Sequence, residues 1–182
     1  MAILPIRIFP DPFLKTPTPV VETVTPKVSR LLDDLVETMR YHPRCVGLAA
    51  PQVGARARVA VVDVTAHPKA SGSHGLVVLV NPSIVAWEGD VIQREGCLSV
   101  SDLTGNVRRA ARVRVEASDR AGKLWMRWFE GFEAIAIQHE IDHLDGKLFL
   151  DRVTNVKTDV FQRKRYWFPP PRGAGESTVD RP

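Results

Sequence analysis

Apolar residues along this chain fall on two helical faces, separated by runs of strand character. Val28, Leu31, Leu32, Leu35, Val36 and Met39 keep helical spacing as far as Arg40. Thr25-Pro26 precedes them, supplying an N-cap hydroxyl and a proline at the first helical position. The spacing predicts a helix from Pro26 to about Arg40 with its stripe in the core. Phe132, Ile135 and Ala136 recur at i, i+3, i+4, and His139 and His143 continue that face. A second helix is predicted from about Glu130 to Leu144, stopped by Gly146. Its stripe should enter the core, with the histidines at the boundary between core and cleft.

Between the helices, Val59 to Val64 and Leu76 to Val80 are β-branched runs. Val113 to Ala117 alternates, and Arg120-Ala121-Gly122-Lys123 turns it into Leu124 to Phe129, a hairpin signal. Trp125 and Trp128 are expected on that sheet or at its rim. The order helix, strands, helix predicts an α+β domain, its second helix lying against sheets.

With 182 residues the chain suffices for one domain with a sizeable core. That domain is expected over residues 1–168. From Pro169 onward proline and glycine dominate, and residues 169–182 read as a flexible tail. The loop from Ala66 to Gly75 is polar, and its His67 and His74 are expected to be exposed to solvent. No run of 18 apolar residues suggests a membrane span, and Met1-Ala2-Ile3-Leu4-Pro5 lacks a secretory pattern. The net charge of +4 fits simple solubility. Arg163, Lys164 and Arg165, following Lys157, suggest a solvated helix face or a weak contact with ribosomal RNA. Neither DNA nor a membrane is expected as a partner. Two cysteines argue against a disulfide framework and fit a reducing cytoplasm.

The densest chemistry is His139-Glu140-Ile141-Asp142-His143. Residues four apart on a helix share a face, so both imidazoles can reach one metal ion. Glu140 projects beside them, where it can take a proton from water. Two ligands hold a metal weakly, and a catalytic site usually uses three. No histidine follows His143, so the third ligand must lie upstream. Cys97, in Glu95-Gly96-Cys97-Leu98-Ser99, is the candidate, since a thiolate is a strong soft ligand. Cys45, the other cysteine, reads as a space-filling residue.

Three segments, in order, resemble the peptide deformylase family. They are Gly47-Leu48-Ala49-Ala50-Pro51-Gln52, like G-x-G-x-A-A-x-Q; Glu95-Gly96-Cys97-Leu98-Ser99, like E-G-C-L-S; and His139-Glu140-Ile141-Asp142-His143, like H-E-x-D-H. The resemblance covers about residues 1–165. It implies a metal-binding helix packed against antiparallel or mixed β-sheets, and removal of the N-formyl group from the initiator methionine of nascent polypeptides. It implies one divalent ion held by Cys97, His139 and His143. Fe(II) is the ion expected, and zinc, nickel or cobalt can also occupy such a site. Glu140 is implied as general base and then acid, with Gln52 and the backbone N–H of Leu98 as donors to the formyl oxygen. Val46, Gly47, Glu95, Arg109 and Ile135 are implied around the substrate. Gly47 should let an extended peptide approach and pair like an added strand.

The chain departs from the family pattern at Cys45, in place of a glycine, and at Ser101, Thr104 and Arg108, which are expected in a loop bordering the methionine pocket. The competing readings are a zinc-type metallopeptidase using the same H-E-x-x-H chemistry and a metal-stabilised interaction protein without catalysis. The first must account for Cys97 and Gln52, the second for Glu140.

Overall fold

A computed structural model describes residues 2–163. The expected tail at 169–182, and Lys164 and Arg165 of the basic segment, lie outside the described residues.

Both expected helices are present. Helix α1 spans Pro26–Tyr41, and the Thr25 hydroxyl accepts the N–H of Val28 at 3.4 Å. Helix α2 spans Gly131–Leu144. Strands β1 (Gly47–Ala49), β2 (Val59–Val62), β3 (Val77–Glu88), β6 (Arg112–Ser118) and β7 (Leu124–Glu130) form a sheet ordered β1-β2-β3-β6-β7. Strands β4 (Val91–Cys97), β5 (Val100–Arg109) and β8 (Val160–Gln162) form a second sheet ordered β4-β5-β8. Every described strand pair is antiparallel, so the architecture is α+β with antiparallel rather than mixed sheets.

The first sheet is covered on both faces, which explains the unbroken Val-Ala-Val-Val of β2. Ala60 and Val62 pack towards α2, with Leu79, Val113, Val115, Ile137, Ile141 and Leu144. Val59 and Val61 pack the other way, with Leu32, Leu35, Met39 and Leu48. Full burial of each Val, Leu or Ile side chain contributes roughly 1.5–3 kcal/mol. Helix α2 is apolar or buried nearly all round, as a helix inserted between layers must be. Its core face is Ala134, Ile137, Ile141 and Leu144. The Phe132-Ile135-Ala136 stripe is largely buried as expected, with Phe132 and Ala136 packed on that core, and it also walls a cleft that continues into His139 and Glu140.

Other elements depart from expectation for visible reasons. Strand β3 runs past Pro82 because Asn81, at φ +54°, makes a bulge there. The Asn81 amide accepts the N–H of Val21 and donates to its carbonyl, both at 2.8 Å. Lys157 lies on the short helix α3 (Val156–Asp159), but the chain then becomes strand β8 and delivers Arg163 to the cleft. Arg163 is therefore not on a solvated helix face. No helix among the described residues is long and apolar enough to cross a membrane.

Helix α2 ends in a Schellman motif. The Gly146 N–H donates to the His143 carbonyl at 3.1 Å and the Lys147 N–H to the Asp142 carbonyl at 2.8 Å. Gly146 has φ +70°, and a β-carbon there would lie 2.7 Å from the carbonyl oxygen of Lys15. Gly146→Ala should therefore cost about 1–3 kcal/mol of stability. Denaturant unfolding checks this, and an unchanged midpoint would contradict it.

Candidate functional site

Two structural elements converge on Cys97. In β4 the inward positions include Glu95 and Cys97, and Cys97 pairs with Val100 across the two-residue turn Leu98-Ser99. Helix α2 brings His139 and His143 to the same point, one turn apart. Ligand atoms of Cys97, His139 and His143 lie within 4.8 Å of one another. Cys97 Sγ is 3.2 Å from His143 Nε2, and the two imidazoles meet edge to face at 4.9 Å. Burial alone would push the Cys97 thiol up, but the charge of His143 and hydrogen bonds from both imidazoles hold it well below its ordinary value. A thiolate and two imidazoles, converging and nearly free of solvent, fit a divalent ion that favours sulfur and nitrogen ligands.

Glu140 lies against this triad and is buried, and its Oε2 has no hydrogen-bond partner among the described residues. Burial pushes its carboxyl up to about 7, with His139 and His143 pulling the other way. Gly47 makes room for it. A β-carbon on Gly47 would lie 2.5 Å from Glu140 Oε1, so the carboxyl occupies the space a side chain would take.

Gln52 sits in the 3-10 turn Ala50–Val53 directly after β1 and is 2% exposed. Its Oε1 accepts the Ala49 N–H at 2.9 Å. That fixes the amide, so Nε2 points to Ser99 Oγ at 3.2 Å and Cys97 Sγ at 3.4 Å. Leu98 is the first turn residue after Cys97. The ladder of the hairpin joins residues 97 and 100. Gln52 and Leu98 thus both line the cleft beside Cys97.

Behind the triad lies a buried charge network. Arg109, 4% exposed, grips Glu95 through Nε–Oε1 at 2.6 Å and Nη2–Oε2 at 2.9 Å. Its Nη1 reaches Asp142 Oδ2 at 2.6 Å, and Arg152 Nη2 reaches Asp142 Oδ1 at 2.5 Å. Glu95 Oε2 in turn meets His139 Nδ1 at 2.8 Å. Burial would raise the Glu95 carboxyl, yet Arg109 and His139 hold it down at about 2. Glu95 therefore orients His139, in the way carboxylates orient metal-binding imidazoles.

The triad opens into a cleft of about 1310 Å³. Cys45, Val46 and Gly47 line one wall, and Glu95, Gly96 and Thr104 another. Ile135 and Phe132 contribute from α2, and His67 from the 66–75 loop. Arg109 does not line the cleft; it stands behind Glu95. His67 is half-buried and stacks on Phe132 at 4.2 Å between centroids, so it is not the solvent-exposed loop residue expected. His74 is exposed and pairs with Glu133 at 2.7 Å.

Comparison with known proteins settles the family. Residues 3–159 match the polypeptide deformylase family model. A peptide deformylase of Syntrophobacter fumaroxidans is 44% identical over 90% of this chain and 94% of its own length. The chain belongs to the peptide deformylase family. A solved peptide deformylase from Legionella pneumophila superposes with a TM-score of 0.77 at 42% identity, covering 86% of this chain and 89% of its own. One from Acinetobacter baumannii, solved with Met-Ala-Ser bound, superposes at 0.78 and 34% identity, covering 84% of this chain and 99% of its own.

Among deformylase motifs, the departures fall in different places. Ser101, Thr104 and Arg108 lie on strand β5, not in a loop. Of the three, only Thr104 lines the cleft; exposed Arg108 pairs with Asp90. Cys45 both packs against the α1 cluster and lines the cleft. Its Sγ donates to the Gly47 carbonyl at 3.1 Å, and burial pushes its thiol up to about 12. Sequence reasoning gave no role to Asp142, Arg152 or Phe161. Asp142 carried a signal, as a second carboxylate within the deformylase H-E-x-D-H helix, one residue from His143.

Arg109→Met should leave Glu95 and Asp142 buried without their partner and cost about 3–5 kcal/mol of stability. It should also change the acid limb. Glu95 titrates lower in the fold than its ordinary 4.5, so its contribution is whole above that value and lost as pH falls towards about 2. In metal-free Arg109→Met this slope should flatten. Unfolding measured across that range checks both, and wild-type stability with wild-type slope would contradict the network.

Proposed function

We propose that this chain hydrolyses the N-formyl group of formyl-methionyl N-termini of newly made polypeptides, with Cys97, His139 and His143 holding one divalent ion. The observation that carries the reading is the convergence of that triad with Glu140 and the fixed amide of Gln52 at the end of one open cleft. Membership of the deformylase family supports it, as does the Met-Ala-Ser bound by the Acinetobacter relative, a peptide of the kind that deformylation leaves. A metallopeptidase reading gives Gln52 and Cys97 no comparable work.

When bound, the ion supplies a Lewis acid that makes water more acidic and draws charge from the formyl oxygen. The ion we propose is Fe(II), with zinc, nickel or cobalt able to occupy the same sulfur-nitrogen set. Glu140 takes a proton from the attacking water at its buried carboxyl and delivers it to the amine that leaves. Negative charge grows on the formyl oxygen as the carbonyl carbon is attacked. Gln52 Nε2 and the Leu98 N–H donate to it, two donors that add no charge. Val46, Gly47 and Ile135 flank the peptide, and β1, an edge strand, offers its backbone for pairing. Glu95 and Arg109 act through His139 as positioning residues.

Cytoplasm is the compartment we assign, because a thiolate beside a redox-active ion needs reducing conditions, and both cysteines are free. A weak contact with ribosomal RNA through Lys157, Lys164 and Arg165 is the further partner we propose.

Product analysis tests this reading. Iron-loaded protein, kept anaerobic, should release formate from a formyl-methionyl peptide and leave the peptide backbone whole. Backbone cleavage of the unformylated peptide would favour the peptidase, and no product from either would favour a binding module. Glu140→Gln should keep its metal while kcat falls about 10²–10⁴-fold; near wild-type turnover would remove Glu140 from the mechanism.

A further inference from the structure

The outer half of the cleft carries charges that formamide hydrolysis does not use. Arg94, on the edge strand β4, stacks its guanidinium on Phe161 of β8 at 3.5 Å from the ring centroid. Its Nε also donates to Asn106 Oδ1 at 2.9 Å and its Nη1 to Thr104 Oγ1 at 3.3 Å. Arg94 is thus an exposed cation held in place without a carboxylate. Arg163 follows β8, its N–H on the Asp102 carbonyl at 2.8 Å, and its guanidinium lies over Gly96, where a β-carbon would collide with it. Across the cleft, Lys69 lies 5.8 Å from the Phe132 ring centroid.

Lys69, Arg94 and Arg163 all line the cleft, and none makes an ion pair among the described residues. Among the described residues, the carboxylates lining it are Glu95 and Glu140. Both are buried at its inner end, and Glu95 is neutralised by Arg109. Among the described residues the cleft therefore carries unpaired cations on both walls. Resting on the deformylase reading, we propose that Lys69, Arg94 and Arg163 form a specificity subsite favouring formyl-methionyl peptides with acidic residues shortly after the methionine and disfavouring basic ones.

An acidic peptide suits these charges better than RNA does. Arg94 and Arg163 line the same cleft as Glu140, where a strand of peptide has a reason to lie. Thr104 and Asn106, one register step apart on the same face of β5, hold the Arg94 guanidinium in place.

The test uses three formyl-methionyl peptides that differ only in carrying Glu, Gln or Lys at the second and third positions. Wild-type kcat/KM should fall in the order Glu, Gln, Lys, with Glu over Lys by about five- to tenfold at low salt. The gap should shrink as salt rises. Arg94→Gln/Arg163→Gln should collapse it. Fluorescence anisotropy of the same peptides, labelled at the C-terminus, reads the preference as affinity, so the subsite stands or falls even on protein that shows no turnover. Equal constants for Glu and Lys peptides would overturn it. So would a preference that survives the double substitution, or one left intact while the variant loses binding to an RNA oligonucleotide.

Discussion

The buried ion network centred on Arg109 is the constraint from which the rest of the site follows. A guanidinium out of water is costly, and so are the carboxylates of Glu95 and Asp142. Their fork-like pairing offsets the cost only while all three stay in register. Glu95 belongs to β4, Arg109 to β5 and Asp142 to α2, so the network ties a hairpin to a helix at one point. The catalytic chemistry lies directly in front of that tie. Cys97 is two residues after Glu95, and His143 is one after Asp142. Once the charges are paired, the triad has little freedom left.

Packing supplies the remaining precision. Helix α2 is buried on nearly every side, and the Schellman turn at Gly146 stops it against Lys15. Its cleft face is then a rigid wall on which Glu140 can be held with one oxygen unsatisfied. The close fit of that carboxyl over Gly47 binds β1 to the same unit, so Gln52, a few residues on, arrives at a fixed distance from Cys97. Stability and geometry are bought with the same contacts: the core face of α2 secures the sheet, and the opposite face presents the histidines.

Much of this was legible in the sequence, and the failures have physical causes. Both helices showed because a helix stripe and its caps are local. The β6–β7 hairpin showed because one face is apolar and the turn holds Gly122. Strands β4 and β5 did not show. In β4 the inward residues include Glu95 and Cys97 while Ile92 points outward at 65% exposure, so the usual alternation is inverted by the site itself. Strand β8 has three residues and exists only because β5 offers an edge. The Phe132 stripe showed as a core face, since periodicity identifies an apolar face, but not the cleft that opens beside it. Spacing likewise marked His139 and His143 as partners, yet could not show that Arg109 acts from behind Glu95 rather than in the cleft. That depends on which way alternate residues of β5 face.

The central claim is that this network brings one sulfur and two imidazole nitrogens to a single ion. X-ray absorption at the metal edge of the iron-loaded protein, prepared without air, measures that set directly. A shell with one sulfur and two imidazole nitrogens is the expected result. Two sulfurs, which would bring Cys45 into the site, or a shell with no sulfur at all, would contradict it.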